Sequence, residues 1–364
     1  MNCLRVVMVG LHPNTTSGVA NVVNNWLEAG IKDEIELKYI STLRNFVPGR
    51  YLIKFMDAIF AYALFVFKAQ GSFDIVHIHV SSHMSFFRKW PIFKWAKLMK
   101  IKTIVHIHGS RFEEFYSDSN PMIKCMITNV LDTADALFVL SKSWERFISE
   151  ISNNQNIYIL YNGASLKKYS KKKHNKNKVV ISFMGRLGKR KGVYDLLNAF
   201  EKIVPDFPNA HLVLGGDGEI EKVRKLVTIK NLEKRIHVLG WVSGEQKISV
   251  FRECDIYVLP SYNEGLPGSI LEAMAVGLPI ISTPVGGITE AVIENRNGYL
   301  VDPGDVDELY NKLKVLCQNK SLREKMGKES RQIIKEKFKI ENIVSNLLKL
   351  YQKVVSNETS GTKL

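Results

Sequence analysis

The stretch LPSYNEGLPGSILEAMAVGLP, residues 259–279, decides the fold. Just ahead of it and overlapping its first residue, 255–259 (DIYVL) is a short apolar run of strand type. Residues 260–267 are rich in Pro, Gly and Ser and read as a loop. Residues 268–276 are apolar at helical length, and Gly277 with Pro279 stops the helix. Strand, short loop and helix in this order form a βα unit. A helix that begins just past a parallel strand points unpaired backbone N–H groups beyond the strand end, which makes a ready anion site. A diphosphate is the natural guest.

The same alternation runs outward in both directions. On the C-terminal side the strand-like runs are 179–184, 210–214, 236–239, 280–282 and 298–301, with helices reaching 203 and 229 between them. On the N-terminal side they are 4–9, 74–79 (DIVHIH), 103–108 (TIVHIH), 136–140 and 157–160. Helical patterns cover 19–28, 51–68, 86–99, 121–133 and 144–151, and helices at 305–317, 322–338 and 340–355 close the chain. Continuous apolar strands alternating with helices imply parallel sheets buried on both faces. The expected fold is therefore α/β, with two doubly wound, Rossmann-like parallel-sheet domains facing a cleft. The expected boundaries are 1–166 for a first domain, 167–178 (KKYSKKKHNKNK) for a basic linker, and 179–340 for a second domain. A C-terminal helix and tail, 341–364, are expected to return toward the first domain.

Composition bounds the partners. The chain has 364 residues and 45% hydrophobic content, enough for two packed domains. Its net charge of +15 points to a phosphorylated ligand, an anionic membrane or nucleic acid. No basic tail and no recognition motif supports nucleic acid, so none is expected. The four cysteines lack zinc spacing and read as reduced thiols. Residues 4–10 are too short for a signal peptide, and 55–67, with Asp57, falls short of a membrane span. The expected location is cytoplasmic, on or near the cytoplasmic face of the membrane. Residues 85–102 (SFFRKWPIFKWAKLMKIK) hold six basic and no acidic side chains among apolar ones, the pattern of a basic amphipathic helix suited to an anionic surface.

Two carboxylates flank the helix start at 268. Glu264 lies in the loop and Glu272 about one turn inside the helix. A carboxylate accepts two neighbouring hydroxyls well, so Glu272 is expected on a ribose diol and Glu264 on a sugar diol, on either side of a phosphate.

Glu264 and Glu272, with GLPGSIL between them and AMAVGLPIISTPVGGITE after them, resemble the retaining glycosyltransferases of family 4, which have the GT-B fold. FMGRLGKRKG (183–192), GGDGE (215–219), LGWV (239–242) and NGYLV (297–301) carry the likeness across about 179–301. The resemblance implies that Glu264 contacts the donor sugar, that Glu272 contacts the nucleotide ribose, and that Arg186 and Lys191 neutralise the diphosphate. The loop and helix start, Gly265, Leu266, Pro267, Gly268, Ser269 and Ile270, then complete the donor site. NTTSGVA (14–20) resembles the family's glycine loop, with Gly18 free to approach phosphate and Ser17 in place of a second glycine. His108, in HIHGS, matches the position where a histidine meets the donor sugar. His77, His79 and His106 share strand faces and are expected to line the cleft rather than bind metal.

No metal and no cofactor is expected. Asp305-Val-Asp307 opens a helix and reads as its cap. The implied activity is transfer of a hexose-type sugar from a nucleotide sugar, UDP-linked by preference, to a hydroxyl of a glycan or lipid-linked glycan, with retention of configuration. The competing readings are a nucleotide-sugar epimerase on the same fold and, more remotely, a basic nucleic-acid-binding protein.

Overall fold

The computed structural model describes residues 3–15, 17–43, 62, 65, 73–169 and 178–356. The chain divides into two compact units, one of Met1–Asn162 with Ile340–Leu364, the other of Gly163–Lys339.

The first unit holds a parallel sheet of β1 (Arg5–Gly10), β2 (Glu36–Ser41), β3 (Ile75–Val80), β4 (Lys102–Ile107), β5 (Ala136–Val139) and β6 (Ile157–Ile159) in the order β2-β1-β3-β4-β5-β6. Side chains alternate across it. Val7, Val9, Val76 and Ile78 face one core, packed against the helices Met84–Leu98, Pro121–Thr133 and Lys142–Ile151. Val6, Met8, Ile75 and Ile104 face the other, covered by Gly18–Glu28 and Ile340–Val355. That helix supplies buried Ile343, Leu347 and Tyr351, so the last helix among the described residues closes a layer that Gly18–Glu28 opens.

The second unit holds β7 (Val179–Met184), β8 (Ala210–Gly215), β9 (Ile236–Gly240), β10 (Ile256–Leu259), β11 (Ile280–Ser282) and β12 (Gly298–Leu300), all parallel, in the order β12-β11-β10-β7-β8-β9. The chain runs outward one way from β7 and the other way from β10. Strand order reverses between these two neighbours, and in open parallel sheets ligands bind beyond the strand ends at such a reversal.

Several expectations need correction. Strand β2 went unread because it is an edge strand with Glu36 exposed and little of it buried. The helix Gly244–Glu253 also went unread. The opening of the supposed linker is packed: Tyr169 is buried, its carbonyl accepts from Arg331, and the Lys168 carbonyl accepts from Arg252. The last long helix of the second unit runs Lys320–Ile333 and then loosens into a π turn, Ile334–Phe338. The reading of 51–68 as a helix lies outside the described residues apart from Tyr62 and Phe65. The Asp305 carboxylate accepts the Glu308 N–H at 2.8 Å, so it is a helix cap as read.

Most of the segment 85–102 is a helix, Met84–Leu98, followed by a turn and the first residue of β4, and several of its basic residues are tied to neighbours. Lys89 is buried and donates to Ser85 Oγ at 2.8 Å. Lys94 donates to Asn129, and Lys97 and Lys102 both pair with Asp135. Among the described residues, no helix is long and apolar enough to cross a membrane.

Candidate functional site

The loops at the strand-order reversal of the second unit hold six of the expected site residues, Arg186, Lys191 and Glu264–Pro267, and the helix that follows holds Gly268, Ser269, Ile270 and Glu272. After β7 the chain makes a turn and a short 3-10 helix, Lys189–Lys191, then enters the helix Val193–Asp206 through Gly192. Gly192 has φ 69°, and a Cβ there would lie 1.9 Å from the Pro260 carbonyl oxygen, so only glycine allows this loop to lie on the one after β10. Two further bonds bind the loops: Tyr262 N–H donates to the Arg190 carbonyl at 2.8 Å, and the Arg190 guanidinium donates to the Asn263 carbonyl at 3.1 Å.

This stitching brings Lys191 to Glu264. The two form an ion pair, and Ser261 Oγ donates to the same carboxylate oxygen at 2.7 Å. Glu264 is only 6% exposed. Its loop is held from the far side as well, because Gly286 (φ 56°) approaches the Glu264 carbonyl and Gly287 N–H donates to the Gly265 carbonyl at 2.6 Å.

The helix Gly268–Val276 follows directly. Pro267 precedes it, and no side chain caps it. Its leading amides at Gly268 and Ser269 are therefore left for a ligand, and nothing stands within 4 Å of where a Cβ on Gly268 would be. Tyr257 Oη lies 2.8 Å from Ser269 Oγ and 3.1 Å from the Met184 carbonyl. With one phenolic proton, it donates to the carbonyl and accepts from Ser269. Burial pushes the Tyr257 phenol well up, and the nearby carboxylates of Glu272 and Glu264 push the same way.

Glu272 is 7% exposed and pairs with Lys247. Lys247 was not among the residues read from the sequence. It comes from the helix Gly244–Glu253, a short polar segment whose one signal was Ser243 followed by Gln246 at capping-box spacing. Arg186 stands apart from these pairs. Its side chain is 61% exposed and its ion partner is Asp217, 3.0 Å away.

Residues 166–333 match the family described as Glycosyl transferases group 1. Over 329 residues the chain is 30% identical to an uncharacterized glycosyltransferase of Methanocaldococcus jannaschii, an alignment covering 85% of this chain and 81% of the other. The chain belongs to the group 1 glycosyltransferases. This glycosyltransferase is also 28% identical over 347 residues to the UDP-Gal:alpha-D-GlcNAc-diphosphoundecaprenol alpha-1,3-galactosyltransferase of Escherichia coli, covering 90% and 86% of the two chains. Among solved structures, the sucrose-phosphate synthase of Thermosynechococcus elongatus shares the fold, with TM-score 0.84 and 19% identity over 97% of this chain and 99% of that one.

In the first unit of the glycosyltransferase, Ser17 caps the helix Gly18–Glu28 by accepting the Ala20 N–H at 3.1 Å. That accounts for a serine where the family's second glycine was expected. Gly18 keeps open space around its Cα. His108 sits just past β4, half-buried. His77, His79 and His106 do not line an opening: all three are buried among Trp26, Phe138 and Tyr351.

Proposed function

We propose that this glycosyltransferase moves a hexose-type sugar from a UDP-linked donor to a hydroxyl of a glycan or lipid-linked glycan, with retention of anomeric configuration. The observation that carries the reading is the Lys191–Glu264 pair beside an uncapped helix start at the strand-order reversal of β7 and β10. A cation, a carboxylate and free amides gathered at one loop cluster suit a sugar diphosphate. The Escherichia coli relative named for UDP-Gal and a diphosphoundecaprenol-linked acceptor supports the donor and acceptor classes.

In this proposal Glu272 takes the ribose diol and Glu264 the sugar hydroxyls. The leaving diphosphate gains charge in the transition state, and Lys191, Arg186 and the Gly268 and Ser269 amides stabilise it without a metal, while the Ile270 amide is held by the Pro267 carbonyl at 3.1 Å. Gly265, Leu266 and Pro267 shape the loop, Gly18 approaches phosphate, and His108 contacts the sugar. The acceptor hydroxyl enters on the face the diphosphate leaves, and a departing phosphate oxygen takes its proton. The test is a thermal-shift panel of nucleotide sugars, followed by NMR assignment of the product anomer. Product with the donor's anomeric configuration is expected. An inverted product, or sugar isomerisation without acceptor, defeats the proposal.

Membrane association belongs to the proposal in altered form. The turn after the helix Met84–Leu98 exposes Leu98 (77%), Met99 and Lys100 together. Apolar tips beside a cation suit an anionic bilayer surface. Sedimentation with anionic vesicles should fall for a Leu98→Ser, Met99→Ser variant, and unchanged sedimentation removes this part.

A further inference from the structure

Four histidines share one face of β3 and β4. His77 and His79 alternate along β3, His106 and His108 along β4 and its exit, and His79 stands opposite His106 in the parallel register. His77 stacks on His79 with centroids 4.4 Å apart, and His106 lies tilted against His108 at 3.8 Å. Trp26 covers them from one helix and Tyr351 from the terminal helix, where its hydroxyl meets His77 Nδ1 at 2.6 Å. Burial first, and the charges of neighbouring histidines and Lys89 second, hold the rings neutral; His108 is pushed down to about 3 by burial and then by Lys89.

A neutral imidazole carries one N–H and one bare nitrogen. His79 Nδ1 and His108 Nε2 lie 2.8 Å apart, so one donates and the other accepts. His79 Nε2 is buried without a partner, and so is the indole N–H of Trp26. A proton on His79 Nε2 would leave a second stranded donor beside the indole. A bare acceptor is the smaller penalty, because buried N–H groups without partners are rarer than buried acceptors without them. His79 therefore carries its proton on Nδ1 and donates it to His108 Nε2. His108, being neutral, must then hold its own proton on Nδ1, which has no partner among the described residues.

We propose that His79 is a positioning residue that fixes His108 as the Nδ1–H tautomer, making its outer nitrogen a standing neutral donor to a sugar hydroxyl oxygen. The donor role rests on the assignment of His108 to the sugar under Proposed function. A metal is the other use of such a cluster, since one ring nitrogen from each of His77, His79 and His106 lies within 4.8 Å of the others. His77, however, already spends both ring nitrogens, one on the Tyr351 hydroxyl at 2.6 Å and one on His106 Nδ1 at 3.2 Å.

The experiment is long-range 15N–1H correlation NMR on the full chain labelled at histidine, which separates the two tautomers. His108 is expected to show a protonated Nδ1 and a bare Nε2, unchanged between about pH 5 and pH 8. His79→Phe should turn this signal into a tautomer mixture, and His79→Asn, whose amide can donate at the same place, should restore it. UDP release from UDP-galactose should fall roughly tenfold in His79→Phe and recover in His79→Asn. A proton on His108 Nε2 in the unaltered protein overturns the proposal. So does stoichiometric zinc in the purified chain with the N–H signals missing. If the tautomer is as expected but His108→Phe leaves UDP release unchanged, the sugar-contacting reading falls and the donor role with it, while the His79–His108 proton assignment stands.

Discussion

Replacing Lys191 by Met should both weaken the second unit and abolish transfer, and the two effects can be separated. The pair is deeply placed, with side-chain exposures of 15% for Lys191 and 6% for Glu264. Removing one partner of a buried pair leaves a carboxylate without its counter-charge, at a cost of about 3–5 kcal/mol. Two features reduce this. Lys191 retains some solvent, and Ser261 Oγ still donates to Glu264 at 2.7 Å. About 2–3 kcal/mol is a fair expectation, which corresponds to a Tm lower by about 5–10 °C for a domain of this size. Glu264→Gln alone should cost less, because the freed ammonium can reach water. The double variant, Lys191→Met with Glu264→Gln, removes both charges and should recover most of the lost Tm, giving a coupling energy by the usual cycle. Transfer should stay lost in all three. Calorimetry and a radiolabelled sugar-transfer assay give the two readouts. An exposed pair contributes only about 0–1 kcal/mol. A Tm within about 2 °C for Lys191→Met, with transfer intact, would therefore refute both the burial argument and the role of the pair.

Lys247→Met should leave Glu272 without its partner and weaken UDP binding roughly tenfold by isothermal titration, with a much smaller effect on 2′,3′-dideoxy-UDP, which lacks the ribose diol. Gly192→Ala must accept φ 69° and a Cβ 1.9 Å from the Pro260 oxygen; a loss of about 2–3 kcal/mol in denaturant unfolding is expected, with transfer lost as the two loops part. Lys89 is held at about 7, by burial first and by Arg88 second. Its folded value lies below the unfolded one, so between roughly pH 7 and 10.5 the unfolded chain binds more protons and stability gains as pH rises. Lys89→Met should remove that slope and raise Tm at pH 7, which a pH series of thermal melts will show.

Much of the fold was legible because buried parallel strands write themselves as apolar runs. β7, β10 and β11 came through cleanly, as did the helix Gly268–Val276 with its Gly277 stop. β2 did not, because an edge strand with one wet face carries Glu36 and Lys38 among its few apolar residues. The Lys191–Glu264 pair joins two residues that the motif named, whereas Lys247, the partner of Glu272, was not read, because a short polar helix has too little apolar periodicity to be seen. The polar contacts of the lysines of 85–102 were illegible for a different reason. Their partners Asn129 and Asp135 lie more than 30 residues away in sequence, beyond any local pattern. The histidine pairs were read as strand-face neighbours, yet their burial depended on Trp26 and Tyr351, which no spacing connects to them.

The terminal helix has a consequence for synthesis on the ribosome. The chain leaves the first unit at Asn162 and returns to it only at Ile340, so everything needed for the second unit emerges before the first unit has its last layer. Domains tend to fold as they emerge, amino-terminal ones first. Here the order of completion is inverted: the unit whose strands emerge before those of the other is completed after it, and a nascent chain stalled before Tyr351 would hold the imidazoles of β3 and β4 without their lid.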